Sequence, residues 1–166
     1  MSDPKSAARS IRLVVFDIDG VFTDGRLFLD SHGIETHKIF HVRDGFGVRQ
    51  LLENGVEVAI ISGRDSAAVA ARMAALGVQH VFQGCDDKLP VLLKLLAQLD
   101  IAPEHTAFVG DDEPDLPPMA AVALAIAVAD AHPRVRAASH WVTGNRGGQG
   151  AVREVAEFLL GSRSDD

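Results

Sequence analysis

The sequence predicts an α/β fold, a Rossmann-like three-layer sandwich with helices on both faces of a central parallel sheet. Two observations predict this class. Short apolar runs alternate with helical patterns along the chain, and the shortness of these runs suits the buried strands of a parallel sheet. The length of 166 residues is typical of one domain with a core of ordinary size. We therefore expect a single domain over 1–166.

Five strands and five helices follow from the pattern, with one departure from the alternation. The predicted strands are Arg12–Phe16, Val56–Ile61, Gln79–Phe82, Thr106–Val109 and Ala123–Ala127. The predicted helices are Gly47–Asn54, Ser66–Leu76, Leu89–Leu99, a short one after Asp115, and Val152–Leu160. Residues 26–29 and 35–42 flank a glycine-containing turn, which predicts a β-hairpin that projects from the first crossover. The ends before Ser10 and after Ser162 are expected to fray.

Composition and charge exclude several classes of protein. The 16 basic and 23 acidic residues leave a formal charge of −7, which argues against a nucleic-acid or anionic-membrane surface. No apolar run approaches the roughly 20 residues of a membrane-spanning helix. The single cysteine, Cys85, has no partner for an internal disulfide, and the cytoplasm is the expected compartment.

Paired carboxylates stand at the end of the first predicted strand. Asp17 and Asp19 are spaced by one residue, so both carboxyl groups point toward one side as the strand ends. Two close carboxylates repel, and therefore either a cation holds them or one keeps a proton. If one carboxyl group keeps its proton, the ionised group can act as a nucleophile and the protonated group as a general acid. Taken alone, the pair fits a simple chain reversal at Gly20 equally well.

Three later strand ends also carry polar residues, and open α/β sheets place their ligand crevice at such ends. Ser62 and Gly63 offer a hydroxyl and backbone N–H groups to a phosphate, or cap a helix. Lys88 begins a predicted helix. It either offers a cation to a ligand or is an ordinary surface lysine. The acidic group Asp111, Asp112 and Asp115 suits a hard cation, or is a solvated loop.

In their order along the chain, the four motifs resemble the haloacid dehalogenase superfamily of phosphotransferases. They are Asp-x-Asp-Gly at 17–20, Ser-Gly-Arg at 62–64, Lys88, and Gly-Asp-Asp at 110–112. Within the superfamily, the segments 16–25, 42–49, 110–117 and 147–154 resemble the 3-deoxy-D-manno-octulosonate 8-phosphate phosphatase family. The resemblance implies a magnesium-dependent phosphomonoesterase of lipopolysaccharide sugar biosynthesis that forms an aspartyl-phosphate intermediate. It also implies a capless fold, with a hairpin at about 26–42 after the first strand.

The resemblance also implies a role for each site residue. Asp17 would be the nucleophile, and Asp19 the general acid and then the general base. Mg²⁺ would be held by the carboxylates of Asp17 and Asp111 and the backbone carbonyl of Asp19, with Asp112 and Asp115 outside the ligand set. Ser62, Gly63 and Lys88 would bind the phosphoryl group. The substrate would contact Asp19, His41, Val42, Arg43, Asp44, Gly45, Arg49, Arg64, Arg72 and Lys88. The arginines match a sugar carboxylate, although Arg72 fits a solvated helix surface equally well.

The family implies a homotetramer in which neighbouring subunits close each active site. A single hairpin is too small to cover a sugar phosphate, and its apolar residues need burial. A flexible tail over about 144–166 is expected, with Gly147–Gly150 as a lid from which Arg146 reaches phosphate. Two alternatives stay open. One is a phosphatase for another acidic sugar phosphate, such as a nine-carbon ulosonic acid 9-phosphate. The other is a non-catalytic phospho-acceptor or regulatory module.

Overall fold

The computed structural model describes residues 3–163, and its centre is a six-stranded parallel sheet flanked by helices. The strands of this sheet are β1 (Leu13–Phe16), β4 (Glu57–Ile61), β5 (His80–Phe82), β6 (Thr106–Gly110), β7 (Leu124–Ala127) and β8 (Trp141–Val142). Their order is β5-β4-β1-β6-β7-β8, and every neighbouring pair is parallel. The predicted α/β class with a central parallel sheet is confirmed.

The strands form where the sequence offers short, fully apolar runs. All residues of β1, β6 and β7 are buried, because helices cover both faces of a parallel sheet. The five predicted strands are confirmed to within one residue at either end. The two-residue strand β8 at the sheet edge was not predicted, since so short a segment carries no periodicity. Its Trp141 stacks on Phe158, with ring centroids 4.1 Å apart.

Seven α-helices are present in the described part of the chain. They are α1 (Pro4–Arg9), α2 (Val42–Glu53), α3 (Ala67–Leu76), α4 (Lys88–Leu99), α5 (Leu116–Ala120), α6 (Pro133–Ala138) and α7 (Ala151–Arg163). The helix predicted from Gly47 begins at Val42 instead, where His41 caps it by accepting a hydrogen bond from the Arg43 N–H at 3.2 Å. Gly47 lies inside this helix because α7 packs closely against it: a Cβ there would come within 2.9 Å of the Arg153 Cα.

The described residues nearest to the two ends of the chain, 3–10 and 151–163, are more ordered than the sequence predicted. Asp3 caps α1 by accepting a hydrogen bond from the Lys5 N–H at 3.2 Å, which corrects the fraying expected before Ser10. Residues 151–163 of the predicted flexible tail form helix α7, which buries its apolar face against α1 and α2. The fraying and flexibility predicted for residues 1–2 and 164–166 lie outside the described residues. Within 3–163, no helix is both long and apolar enough to cross a membrane.

The predicted hairpin forms a separate two-stranded antiparallel sheet. Its strands are β2 (Phe28–Leu29) and β3 (Glu35–His37), so the second strand ends five residues before the predicted Val42. Asp30 stabilises the turn by accepting hydrogen bonds from the N–H groups of His32 and Ile34 at 2.8 and 3.0 Å. The hairpin exposes a set of large apolar side chains: Leu27, Phe28, Leu29, Ile34 and Ile39. This surface is unpaired within the single chain.

Candidate active site

The central position of β1 decides where the polar strand ends meet. β4 and β6 lie on opposite sides of β1, and Phe16 is in register with both Ile60 and Val109. Where the strand order reverses at such a central strand, the connections on its two sides run in opposite directions, and a crevice opens at the carboxyl edge of the sheet. A cavity of about 340 Å³ lies there. It is lined by Asp17, Asp19, Gly25, Ser62, Gly63, Arg64, Lys88, Asp111, Asp112, Pro114 and Asp115.

Asp17 lines this cavity and is 8% exposed. Its backbone N–H continues the β1–β6 pairing by donating to the Val109 carbonyl at 3.0 Å, which fixes the side chain at the strand end. Its Oδ1 is 2.9 Å from Nζ of Lys88. Burial and the charge of Asp115 raise the pKa of Asp17 to about 7, against the lowering effect of Lys88. The carboxylate is therefore in a site that favours additional positive charge.

Lys88 is the first residue of α4 and is held by two carboxylates. Its Nζ lies 2.7 Å from Oδ1 of Asp115 and 2.9 Å from Oδ1 of Asp17. Burial alone would lower the pKa of Lys88, but the two carboxylates outweigh burial and raise it. The side chain is thus a fixed, charged ammonium group directed into the cavity, suited to binding a phosphoryl oxygen.

Asp115 positions its neighbours. Its Oδ1 accepts from Lys88, and its Oδ2 accepts from the backbone N–H groups of Asp111 and Asp112 at 3.0 and 3.3 Å. Both carboxylate oxygens are therefore already used within the protein, as expected for a residue outside the ligand set of a metal. The exposed Asp112 accepts a hydrogen bond from the Glu113 N–H at 2.8 Å and so caps the short 3₁₀ turn at 113–115.

The acidic residues fit a magnesium ion. One carboxylate oxygen from each of Asp17, Asp111 and Asp115 lies within 4.8 Å of the other two. Burial, and then the charges of Asp17 and Asp115, raise the pKa of Asp111 to about 8. Three carboxylates around one ammonium group leave an excess of negative charge, which a hard divalent cation would neutralise. Asp17 and Asp111 are the side chains available to hold it, since Asp115 is already hydrogen-bonded at both oxygens.

Gly20 lets the two acidic loops touch. Its φ is +90°, and a Cβ at this position would lie 2.0 Å from Oδ2 of Asp111. Any other residue would displace the Asp111 carboxylate or strain the backbone. Thr23 closes the same turn, because its Oγ1 accepts hydrogen bonds from the N–H groups of Gly20 and Gly25 at 3.3 and 3.2 Å.

The segment predicted to be a lid is docked behind this turn. The Gly148 N–H donates to the Val21 carbonyl at 3.0 Å, and the Gly147 N–H donates to Asp130 at 2.9 Å. Arg146 pairs with the same Asp130, with Nε 3.2 Å from Oδ2, instead of pointing toward a phosphate site. The glycines at 147 and 148 thus let their backbone approach the turn at 20–23 closely. This docked position corrects the expectation that they form a lid.

Replacing Gly147 by Ala is expected to damage both stability and activity. A Cβ at 147 would lie 1.7 Å from the Gly20 carbonyl oxygen, so the turn that carries Asp19 must shift. We expect a loss of unfolding free energy of about 2 kcal/mol and at least a tenfold loss of kcat, that is ~1.4 kcal/mol or more in the activation barrier. Thermal melting and steady-state kinetics measure the two effects.

Gly161→Ala is the matched control, because nothing lies within 4 Å of a Cβ at that helical position. Alanine there should raise stability by up to about 1 kcal/mol and leave activity unchanged. If Gly147→Ala behaves like Gly161→Ala, the close approach to Gly20 does not support the turn.

Two residues of the hairpin complete the site and were not predicted from the sequence. Lys38 follows β3, and its Nζ lies 2.5 Å from Oδ1 of Asp19 and 2.5 Å from Oε1 of Glu35. Glu35 also accepts a hydrogen bond from Arg64, with Nη2 at 2.9 Å. Nothing in the sequence distinguishes Glu35 and Lys38 from ordinary charged residues of an exposed hairpin, since their partners lie far away along the chain.

Most of the predicted substrate-binding residues lie outside this cavity in the single chain. Arg64 lines it, whereas Arg43 and Val42 line a second cavity of about 460 Å³. Arg49 and Arg72 line a third cavity, of about 210 Å³, together with Gly45. The predicted contacts at 42–45, 49 and 72 are thus not brought to Asp17 by the fold of one chain, as far as residues 3–163 show.

Asp44 and His41 have structural roles. Asp44 is 1% exposed, and its Oδ1 accepts a hydrogen bond from the Arg153 N–H at 3.0 Å, near the start of α7. Burial raises the pKa of Asp44, and hydrogen bonds from backbone N–H groups, that of Arg153 first among them, oppose this rise. The Asp44 carboxylate is enclosed between α2 and α7 in the single chain, and its predicted contact with substrate stays a prediction. His41 caps α2, as described above.

Comparisons with known proteins give relatives that cover nearly the whole chain. The family model of haloacid dehalogenase-like hydrolases matches residues 82–155. The 3-deoxy-D-manno-octulosonate 8-phosphate phosphatase of Escherichia coli (strain K12) is 47% identical over 159 residues, covering 96% of this chain and 84% of that protein. The crystal structure of the Yersinia pestis phosphatase of the same name is similar with a TM-score of 0.94 at 44% identity, covering 98% of this chain and 87% of that one.

A further solved structure bears on the site itself. The 3-deoxy-D-manno-octulosonate 8-phosphate phosphatase of Moraxella catarrhalis was solved in complex with a magnesium ion, a phosphate ion and a KDO molecule. Its TM-score with this chain is 0.94 at 41% identity, covering 99% of this chain and 94% of that one. The acidic cluster described above is therefore found in a fold for which a relative binds both magnesium and phosphate.

Proposed function

Since the chain belongs to the haloacid dehalogenase-like hydrolases, in the family of the 3-deoxy-D-manno-octulosonate 8-phosphate phosphatases, we propose that it hydrolyses this sugar phosphate. The products are 3-deoxy-D-manno-octulosonate and inorganic phosphate, in the supply of a lipopolysaccharide sugar. The observation that carries the proposal is the meeting of Asp17, Ser62, Lys88 and Asp111 in one cavity at the ends of adjacent strands.

Asp17 is the nucleophile in this proposal. Its carboxylate oxygen forms a bond to phosphorus while the bond from phosphorus to the sugar oxygen breaks, which leaves a phosphoryl group on Asp17. The ammonium group of Lys88, with the Ser62 hydroxyl and the Gly63 N–H, binds the phosphoryl oxygens during the transfer. Lys88 is suited to this because its position is fixed by Asp115 on the far side.

Asp19 moves the proton. In its acid form it protonates the leaving sugar oxygen, and in its ionised form it then accepts a proton from the water that attacks the phosphoryl group on Asp17. This attack releases phosphate and restores the Asp17 carboxylate. Asp19 lines the same cavity as Asp17 and Asp111, and its Oδ2 lies 3.9 Å from Nε of Arg64.

Asp17 and Asp111 are the side chains that would hold Mg²⁺, and the backbone carbonyl of Asp19 is the third protein ligand in this proposal. When bound, the ion supplies positive charge that offsets the charge of the phosphate and of the nucleophile. The raised pKa values of Asp17 and Asp111 support this assignment, because they mark carboxylates that lack a compensating cation.

The sugar carboxylate needs a basic partner, and we propose that neighbouring subunits help to supply it. Arg64 is the one predicted arginine at the cavity of its own chain, whereas Arg49 and Arg72 face a separate cavity. In a homotetramer these two arginines could act at a neighbour's active site. The exposed apolar hairpin supports assembly, because a surface of this kind is rarely left in water. We propose a cytoplasmic location, in keeping with the single free Cys85.

The proposal is tested by phosphate release from a panel of sugar phosphates with and without Mg²⁺. The panel contains 3-deoxy-D-manno-octulosonate 8-phosphate, a nine-carbon ulosonic acid 9-phosphate and neutral hexose phosphates. We expect kcat/KM for the octulosonate to exceed that for the hexose phosphates by at least about 100-fold, which is ~2.7 kcal/mol of differential transition-state binding.

Each other outcome contradicts part of the proposal. A preference for the nine-carbon substrate would retain the phosphatase mechanism and replace the substrate. Equal kcat/KM for the octulosonate and the neutral hexose phosphates would contradict the proposed role of the arginines in binding the sugar carboxylate. The absence of phosphate release from every substrate would favour a non-catalytic module.

A further inference from the structure

The acid–base residue Asp19 belongs to a closed ring of four charged side chains, and the ring includes two residues of the hairpin. Lys38 lies between the carboxylates of Asp19 and Glu35, and Glu35 lies between Lys38 and Arg64. Arg64 returns to Asp19, with Nε 3.9 Å from Oδ2. Positive and negative groups alternate around the ring, so its formal charge is zero.

Lys38 is the buried member of this ring. Its side chain is 2% exposed, whereas that of Arg64 is 47% exposed. A buried ammonium group is retained only where carboxylates compensate it, and Asp19 and Glu35 do so here. Burial alone would raise the pKa of Glu35, but Lys38 and Arg64 outweigh burial and lower it. Glu35 is therefore a stable carboxylate partner for Lys38.

Lys38 reaches Asp19 from outside the cavity. Asp19 and Arg64 both line the cavity, and Lys38 is absent from its wall as far as the described residues show. The contact is made at Oδ1 of Asp19, at 2.5 Å from Nζ. The other oxygen, Oδ2, lies toward Arg64 at a distance too long for a hydrogen bond.

The chemistry of an ammonium group decides which Asp19 oxygen can transfer a proton. Nζ of Lys38 only donates hydrogen bonds, so the oxygen it contacts does not carry the proton of the acid form. That proton is therefore placed on Oδ2, the oxygen nearer to Arg64, which lines the cavity. A carboxyl group without such a contact samples a broad range of orientations about its last torsion. The contact with Lys38 thus fixes the orientation of the carboxyl group and leaves Oδ2 as the oxygen available for proton transfer.

We propose that Lys38 is a positioning residue for proton transfer by Asp19, with Glu35 holding Lys38 in place. The inference rests on the proposed function, because it concerns the proton given to the leaving sugar oxygen. It also gives the hairpin a role in the chemistry of its own subunit, since both Glu35 and Lys38 come from the segment around β3.

The experiment compares Lys38→Met, Lys38→Arg and Lys38→Gln with the unchanged protein, and Lys94→Met is the matched control on the exposed face of α4. The substrates are 3-deoxy-D-manno-octulosonate 8-phosphate, phenyl phosphate and 4-nitrophenyl phosphate. The sugar and phenol leaving groups benefit from protonation, whereas 4-nitrophenolate leaves without it. The ratio of kcat/KM for the two aryl phosphates therefore reports protonation apart from sugar binding.

For Lys38→Met we expect kcat on the sugar phosphate to fall at least about 30-fold while KM changes less than about threefold, since general acid catalysis contributes ~10²–10⁴-fold. The phenyl to 4-nitrophenyl ratio should fall at least about fivefold. Lys38→Arg should restore most of both losses, because guanidinium also only donates. Lys94→Met should match the unchanged protein.

Three results would overturn the proposal. They are an equal loss on both aryl phosphates, a loss on the sugar phosphate that lies wholly in KM, and unchanged kinetics. If Lys38→Met does not fold, as judged by circular dichroism, Lys38→Gln decides between the same results. Failure of the proposed function is distinguishable, because it would appear in the unchanged protein as aryl phosphate hydrolysis without activity on the octulosonate.

Discussion

Replacing Asp17 by Asn is expected to lower kcat by at least about 10⁴-fold, because the amide cannot form the phosphoryl intermediate on which both half-reactions depend. The fold should survive the change. The amide oxygen of the variant side chain would still accept a hydrogen bond from Lys88, and the substitution removes a buried carboxylate that Asp115 repels. We expect the melting temperature to stay within about 5 °C of that of the unchanged protein.

Asp86→Asn is the matched control for this substitution. Asp86 is exposed near the same edge of the sheet but does not line the cavity in the described structure. Its replacement should leave kcat within about twofold, as for a surface change away from the site. Activity of the Asp17→Asn variant close to that of Asp86→Asn would contradict the nucleophilic role of Asp17.

Removal of Mg²⁺ by a chelator is expected to reduce phosphate release to below about 1% of its initial rate, and added Mg²⁺ should restore it. The physical reason lies in the cavity, where Asp17, Asp111 and Asp115 concentrate negative charge and a phosphate brings more. Lys88 alone does not balance these charges, as the raised pKa values of Asp17 and Asp111 indicate. Activity that persists in excess chelator would contradict the metal requirement.

The same carboxylates predict how Mg²⁺ binding depends on pH. In the metal-free protein, Asp17 and Asp111 have pKa values of about 7 and about 8, raised from 3.8. The folded protein retains protons that the unfolded chain has already released. This contribution to stability is therefore fully present below a pH of about 4 and is lost as the pH rises through about 7 to 8. Mg²⁺ requires the ionised carboxylates, so it should bind more tightly at pH 8 than at pH 6.

Thermal melting at these two pH values, with and without Mg²⁺, measures the effect. The increase in melting temperature on adding Mg²⁺ should be larger at pH 8 than at pH 6. Equal increases at both values would contradict the assignment of Asp17 and Asp111 as the groups that bind the ion.

Three residues of the phosphatase core could be predicted from the sequence because each of them directly follows an apolar strand. Asp17 follows β1, Ser62 follows β4 and Asp111 follows β6, and the carboxyl ends of parallel strands meet at one edge of a sheet. Strand position therefore fixes the place of the side chain without knowledge of the tertiary packing. Lys88 was predictable for a related reason, since it begins the helix after β5.

The residues around this core could not be predicted in the same way, because their roles depend on contacts between distant segments. Asp44 resembles a substrate ligand in its local sequence, but the packing of α7 against α2 encloses its carboxylate. Lys38 resembles a solvated hairpin lysine, but the hairpin folds back so that it reaches Asp19. Gly147 suggests flexibility by composition, whereas its actual role is a close approach to Gly20.

The central claim is that turnover passes through a phosphoryl group on Asp17, and mass spectrometry of acid-quenched enzyme tests it most directly. Protein is mixed with 3-deoxy-D-manno-octulosonate 8-phosphate and Mg²⁺, quenched within one turnover, and digested. The account predicts a phosphoryl group on the peptide that contains Asp17, and none on the Asp17→Asn variant. Single-turnover phosphate release at full rate with no phosphorylated Asp17 at any quench time, or phosphorylation at another residue, would contradict it.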